Sequence, residues 1–401
     1  MRFTPLVLLV VACSSDPDPT FHSDIQPMIE RSCVQCHSPG NIAPFSLETY
    51  ADVVEHAAAI EVAIRDRVMP PSPVDVSGAC QTFRDAPYLT DDEIARFATW
   101  VDKNNPIGDP KDAPPPTKPP PPLAFDEERA MPEPYAPTTA PSDEYRCFVL
   151  DPIAASDRFL TAFEFVPQDA RVVHHVLLFA NETEAEDAAA IALDDRDPGP
   201  GYTCFGTAGE NVGTTLLATW TPGSRAQAFD PGFGVRIAGG RKLVMQMHYN
   251  YASGVRPDQT RVKLRTAQGV DHEIFVALVD DGALVVPAGR AEAPYTWEIP
   301  LSDVLPVPMK VVFTAPHMHN YGRKARFEVV RENGKVECLT DTPRWDFHWQ
   351  RTYDYAEQPE LRPEDTLRMT CTYDTRERET PLLWGERTED EMCMSIVGLT
   401  L

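Results

Sequence analysis

The sequence predicts a multidomain chain, a small all-α domain followed by two all-β antiparallel sandwich domains of jelly-roll-like build. Three observations carry this. Capped, helix-spaced apolar residues occupy the first hundred positions; nine of the seventeen residues from Pro106 to Pro122 are proline; and beyond residue 140 short alternating runs are separated by Gly, Pro and Asp. A length of 401 residues exceeds one ordinary core and suits two or three domains. Hydrophobic residues at 42% and charged residues at 24% are ordinary for globular protein. Acidic side chains outnumber basic ones, 61 to 36, and the formal charge of -25 argues against nucleic acid or an anionic lipid surface as partner.

The chain opens "MRFTPLVLLVVACSSD". The apolar run from Leu6 to Ala12 is too short to span a bilayer, which takes about 20 apolar residues, but it fits the core of an export signal. The order Val-Val-Ala-Cys resembles a bacterial lipoprotein lipobox, which implies an acylated Cys13 within a leader of residues 1–19; a plain signal peptide is the alternative. Either way the expected address is extracytoplasmic, the bacterial periplasm or outer surface, with a lipid anchor as the only membrane contact.

Residues 33 to 37 read "CVQCH". Two thiols at this spacing can add to haem vinyl groups, and the histidine that follows lies under the iron, so Cys33, Cys36 and His37 form the signature of covalent c-type haem attachment. A redox pair would not need the histidine, and a zinc site would need a second ligand pair that the neighbouring sequence lacks. After it, Leu47, Tyr50, Val54, Ala57, Ile60 and Ile64 recur at helical spacing until Pro70 and Pro71. Met69, on that stiff turn, is the expected sixth ligand, with His56 as its rival. A further helix follows Thr90, an N-cap with acidic residues behind it. Residues 20–105 therefore resemble a small cytochrome c domain, carrying one electron at a time.

The segment 106–139 is proline-rich, and its densest part, 106–122, adopts polyproline II as a stiff spacer of at most about 50 Å. Beyond it, runs such as "FLTAFEFVP", "VVHHVLLFA", "KLVMQMHYNY" and "TLRMTCTYD" read as antiparallel strands. A divide near residue 268, in "TAQGVDH", gives two sandwiches, 140–268 and 269–401. No repeat period and no phosphate-binding glycine loop is evident.

The histidines of this β body carry the chemistry. In "TAPHMHNYG", alternation along a strand turns His317 and His319 to one face and Met318 to the other. His174 and His175 are adjacent, so joint ligation needs a twist or bulge. With His248 of "VMQMHYNY" they supply a His₃ set suited to zinc or copper. His317, His319 and Met392 make a softer set, and its thioether favours copper. His272 and His348 have no partner motif and read as structural. Six of the nine cysteines remain after Cys13, Cys33 and Cys36, enough for three disulfides in fifteen possible pairings.

The ordered set His-His, "MHYNY", "HMHNYGRK" and "DEMC" is similar to the copper type II, ascorbate-dependent monooxygenases, the family of peptidylglycine α-hydroxylating and dopamine β-monooxygenases. The resemblance covers roughly residues 140 to 401. It implies two copper ions, an electron-storing one on His174, His175 and His248 and an O2-binding one on His317, His319 and Met392, the catalytic set. It also implies disulfides Cys147–Cys204 and Cys371–Cys393, leaving Cys80 and Cys338 unassigned. Two features depart from the family. Ala315 stands where the peptide-hydroxylating member has an arginine, and Met394 and Ile396 stand where it has polar substrate contacts, so a neutral or apolar substrate is expected rather than a peptide carboxylate.

The expected function is hydroxylation of a C–H bond of a small molecule with O2, the coppers being reloaded by the chain's own haem in place of, or alongside, ascorbate or a redox protein. The alternative is an extracytoplasmic electron-transfer or copper-binding protein without hydroxylase activity. A zinc hydrolase at the His₃ set is disfavoured, since no carboxylate in these motifs is an evident general base.

Overall fold

The computed structural model describes residues 17–39, 41, 43–72, 74–84, 88–115, 122–138, 143–204, 207–222, 224–251, 254–347, 349–385 and 390–401. Cys13, the proline run 116–121 and His348 lie outside the described residues.

Near the N-terminus, Thr49 with Asp52 and Thr90 with Glu93 form reciprocal capping boxes that start the helices Tyr50–Arg65 and Asp91–Asp102. Val53, Ala57, Ile60 and Ile64 recur at three- and four-residue steps, so one stripe is buried against Phe97 and Trp100. The short helix Gln26–Ser32 adds Met28 and Ile29 to the same cluster. The Trp100 indole N–H and the Phe21 backbone N–H both donate to the Pro106 carbonyl, at 2.9 and 2.8 Å, which docks the start of the proline-rich segment on the helices.

The expected small all-α domain is corrected by this arrangement. Only about 16% of the described residues are helical, and residues 20–105 are not a self-contained helical cytochrome c unit. Residues 74–84 leave the helices for the β body, where Val74 and Phe83 are buried in a β core. Phe83–Arg84 pairs with Tyr353–Tyr355 at the edge of the largest sheet. The disulfide Cys80–Cys338 fixes the same segment across a sequence separation of 258. A two-residue strand has no periodicity to read, and its partner is remote in the chain, so helical spacing on either side conceals it. Closing so long a loop constrains the unfolded chain strongly. The double variant Cys80→Ala/Cys338→Ala is expected to lose about 2–4 kcal/mol, measured as a lower denaturant midpoint at unchanged slope; an unmoved midpoint would contradict this.

The β body is layered. A five-stranded sheet runs in the order Tyr202–Thr203, Asp143–Leu150, Leu243–Asn250, Val173–Ala180, Thr215–Trp220. It packs Phe148, Leu178, Met245 and Met247 against Leu160, Val235 and Val262 of an eleven-stranded sheet. The central strand Leu243–Asn250 is covered on its other face too, where Val244 meets Ala190 of the helix Glu184–Asp194. Burial on both faces explains its near-continuous apolar run.

A four-stranded sheet, in the order Ala293–Pro300, Thr366–Tyr373, Gly322–Val330, Val336–Thr342, encloses the second core around Trp297, Phe327 and Met369. In Thr366–Tyr373 every second residue is buried, as its alternation requires. The eleven-stranded sheet belongs to both layers. Its strand His272–Val279 runs parallel to Phe233–Ile237 over its first three residues and antiparallel to Met394–Thr400 over its last five. That shared strand fixes the two cores, and whatever each positions, relative to one another. Residues 127–130, within the sequence-assigned linker, form the edge strand Glu127–Ala130 beside Arg261–Ala267.

Candidate metal centre

The adjacent pair His174 and His175 is brought to one side by a break in register. His248 faces His175 across the ladder, but the next residue, Tyr249, faces Val173, so His174 is the extra residue of a bulge. The His248 Nδ1 lies 3.1 Å from His174 Nδ1 and 3.2 Å from His175 Nδ1. Ligand atoms of all three lie within 4.8 Å of one another. Three ring nitrogens turned on a common point suit a cation between them. The other His248 nitrogen, Nε2, is 3.1 Å from the Asp143 carboxylate, which fixes the ring's orientation, and Tyr145 stacks on it with centroids 4.1 Å apart and planes 7° apart.

The second set is assembled where two strands end together. His317 closes the strand Met309–His317 opposite Met394, so Met392, two residues before Met394, reaches the same end. Met318 is fully buried in the second core, whereas His317 and His319 turn the other way, with ring centroids 5.1 Å apart. His317 Nδ1 sits 2.5 Å from Gln350 Oε1, and His319 Nδ1 sits 3.1 Å from the Asp390 carbonyl. With Nδ1 so engaged in both rings, Nε2 is the nitrogen that would serve as metal ligand.

Met392 is held by its backbone. Its carbonyl accepts from the Tyr373 hydroxyl at 2.8 Å, and the next residue forms the disulfide Cys371–Cys393. The fully buried Glu391 ties this turn to the histidines. Its carboxylate accepts backbone N–H groups from His319 and Tyr321 at 2.7 Å and from Gly322 and Met392 at 3.1 Å. Burial pushes its carboxyl up to about 7, against the pull of these four donors. The remaining bridge of the β body is Cys147–Cys204.

Both sets open on one cavity of about 120 Å³, lined by His175, His317, His319 and Met392 together with Tyr145, Gln246, Gln350 and Arg351. Between the sets stands Phe347, whose ring centroid is 6.4 Å from His174, 6.5 Å from His248 and 6.0 Å from His319. The six ligand candidates were legible in the sequence. Phe347, Gln350 and Glu391 were not singled out, although Glu391 lies within "DEMC", where a carboxylate next to an ordered thioether was the available signal.

A second cavity, of about 430 Å³, adjoins the N-terminal helices and is lined by Cys33, Cys36, His37 and Met69 but not by His56, which stacks on Phe45 instead. His37 Nδ1 is 3.1 Å from the Phe45 carbonyl, leaving Nε2 for the cavity. Cys33 and Cys36 are unbridged, and burial pushes the Cys33 thiol up to about 12, so the pair is not an activated thiolate centre. His272 packs on Phe233, with ring centroids 4.6 Å apart, away from both cavities.

Burial holds the His317 imidazole down to about 3 and that of His175 well below its ordinary value, with neighbouring histidines adding to both effects. Neutral rings are what metal ligation needs. The folded pKa lies below that of the unfolded chain, near 6.5, so acid adds protons to the unfolded chain first. Metal-free protein is therefore expected to lose stability as pH falls from about 6.5 through about 3, and the variant His317→Gln to show a shallower decline in urea midpoint. Equal slopes would contradict the assignment.

Residues 296–398 match the family model of the copper type II ascorbate-dependent monooxygenase C-terminal domain. Across 246 residues the chain is 22% identical to tyramine beta-hydroxylase of Caenorhabditis briggsae, a match spanning 58% of this chain and 40% of that one. It is 24% identical to human dopamine beta-hydroxylase over 300 residues, 67% of this chain and 47% of that one. It is 24% identical to DBH-like monooxygenase protein 1 of Gallus gallus over 56% and 38% of the respective chains. The chain thus spans less than half the length of these relatives.

Proposed function

We propose that this chain, whose residues 296–398 match the C-terminal domain of the copper type II monooxygenases, is a copper-dependent monooxygenase that hydroxylates a C–H bond with O2. The observation that carries the reading is that His175 of the His₃ set lines the same cavity as His317, His319 and Met392. The donors fit the metal. The His175 imidazole, kept neutral by burial, and the His248 ring, oriented by Asp143, suit copper together with His174, and the thioether of Met392 with His317 and His319 suits Cu(I) over zinc. Copper bound at the two sets would supply one electron each, with O2 reduction at the thioether-bearing one.

The protein's part is positioning. Gln350 and the Asp390 carbonyl hold the rings of His317 and His319, and Glu391 fixes the backbone turn that carries Met392. Leu177, Leu278, Ala315, Met394 and Ile396 line the cavity with apolar surface that excludes water and favours a neutral or apolar small molecule. Ala315 itself offers no guanidinium to a substrate carboxylate, and the guanidinium in this lining is that of Arg351, which also borders the N-terminal cavity.

The reading extends to a covalent haem in the N-terminal cavity, which Cys33, Cys36, His37 and Met69 would hold. The cavity's size is within the range of cofactor sites, about 300–1,000 Å³, its lining is chiefly apolar, and His37 presents the needed nitrogen. Haem there would supply single electrons to the coppers, beside or in place of ascorbate or a redox protein. Three disulfides support an oxidising, extracytoplasmic address, to which a lipid on Cys13 would add an anchor.

The test is incubation of copper-loaded full-length protein with ascorbate, isotopically labelled O2 and a panel of neutral hydrophobic molecules. Label in a product that requires copper supports the hydroxylase. Copper binding and reduction with no labelled product across the panel favours the non-hydroxylating electron carrier.

A further inference from the structure

The two cavities are walled by one stretch of chain. Trp349 and Arg351 line the N-terminal cavity; Gln350, Arg351 and Thr352 line the histidine cavity, so Arg351 belongs to both. The Gln350 side chain bridges inward, its Oε1 at 2.5 Å from His317 Nδ1 and its Nε2 donating to the Phe347 carbonyl at 3.0 Å. Phe347 lies against rings of both histidine sets. The Thr352 hydroxyl is 3.1 Å from that of Thr219, which pins the stretch to the other sandwich. Arg351 has no acidic partner among the described residues and lines the N-terminal cavity together with Cys36. A cation so placed suits the carboxylate arm of a bound macrocycle.

We propose that Trp349, Gln350 and Arg351, with Phe347, form the conduit between the N-terminal cavity and the histidine cavity, through which single electrons reach the metal held by His317. This rests on the haem reading above. Each transfer takes one electron from ferrous haem, leaving it ferric, and reduces Cu(II) to Cu(I); no bond is made or broken and no proton moves. Of the conduit residues, Trp349 touches the haem cavity but lies outside the copper ligands. Its large π-surface is the part of the path that a branched aliphatic side chain cannot reproduce.

The test uses full-length protein loaded with haem and Cu(II), mixed anaerobically with less than one equivalent of reductant. The haem absorption band and the Cu(II) paramagnetic signal are followed together in wild type, Trp349→Leu and Trp349→Phe. The conduit predicts that electrons reach copper about tenfold more slowly in Trp349→Leu and near the wild-type rate in Trp349→Phe, at equal haem and copper content. Gln350→Leu, which cuts the path at the His317 end, serves as a second variant and should slow transfer as well. Wild-type rates in both leucine variants would overturn the conduit while leaving the relay intact. Haem that stays reduced beside Cu(II) in wild type, or protein that takes up no haem, would overturn the relay and the conduit together.

Discussion

Met392→Ala is expected to lower labelled-product formation by more than about 100-fold while leaving copper binding at His174, His175 and His248 intact. The asymmetry follows from the construction of the two sets. The first is built on the ladder between Val173–Ala180 and Leu243–Asn250 and oriented by Asp143, whereas Met392 is held by the Tyr373 hydroxyl and the neighbouring Cys371–Cys393 disulfide. The second has two rings and one sulfur, so losing the sulfur removes a third of its protein donors and the one that favours Cu(I). Met394 lines the same cavity, but its backbone is committed to the ladder opposite His317. Met394→Leu is therefore the control and retains the second copper. Metal content and the Cu(II) signal, measured beside product, separate loss of one centre from global damage. Equal loss of both coppers in Met392→Ala would contradict this account.

Glu391→Ala is expected to cost at least about 3 kcal/mol and to release the second copper before the first. Four backbone N–H groups converge on this carboxylate from His319, Tyr321, Gly322 and Met392, and a methyl group can accept none of them. Glu391→Gln is milder at neutral pH, since its amide oxygen still accepts, although its NH₂ turns a donor toward donors. The measurement is a denaturant midpoint paired with copper titration. A midpoint within about 0.5 kcal/mol of wild type, the range of ordinary surface substitutions, would show that these hydrogen bonds do not hold the turn.

What could be read from the sequence follows from how locally each signal is written. His317 and His319 announce themselves because strand alternation puts residues two apart on one face, and buried Met318 between them obeys the same rule. His174 and His175 violate that rule, and only the bulge opposite His248 reconciles them, a feature set by the partner strand rather than by the pair. Strands such as Thr366–Tyr373 alternate plainly, while Leu243–Asn250 is masked by burial on both faces. Phe83–Arg84 is invisible for a different reason, being two residues long and defined by a partner and a disulfide far along the chain. Gln350 and Phe347 lie in irregular chain between strands, where no period exists and only the fold brings them to the histidines. The helical spacing of residues 50–65 was correct in kind, yet it could not reveal that the neighbouring segment was committed to the β body.

The central claim is that one cavity joins two metal sets of different chemistry. X-ray absorption at the copper edge of reduced, fully loaded protein tests it most directly. The account predicts two coppers per chain, with a sulfur scatterer at part of the copper that vanishes in Met392→Ala and persists in Met394→Leu. A single copper per chain, or nitrogen-only coordination in the wild type, would contradict it.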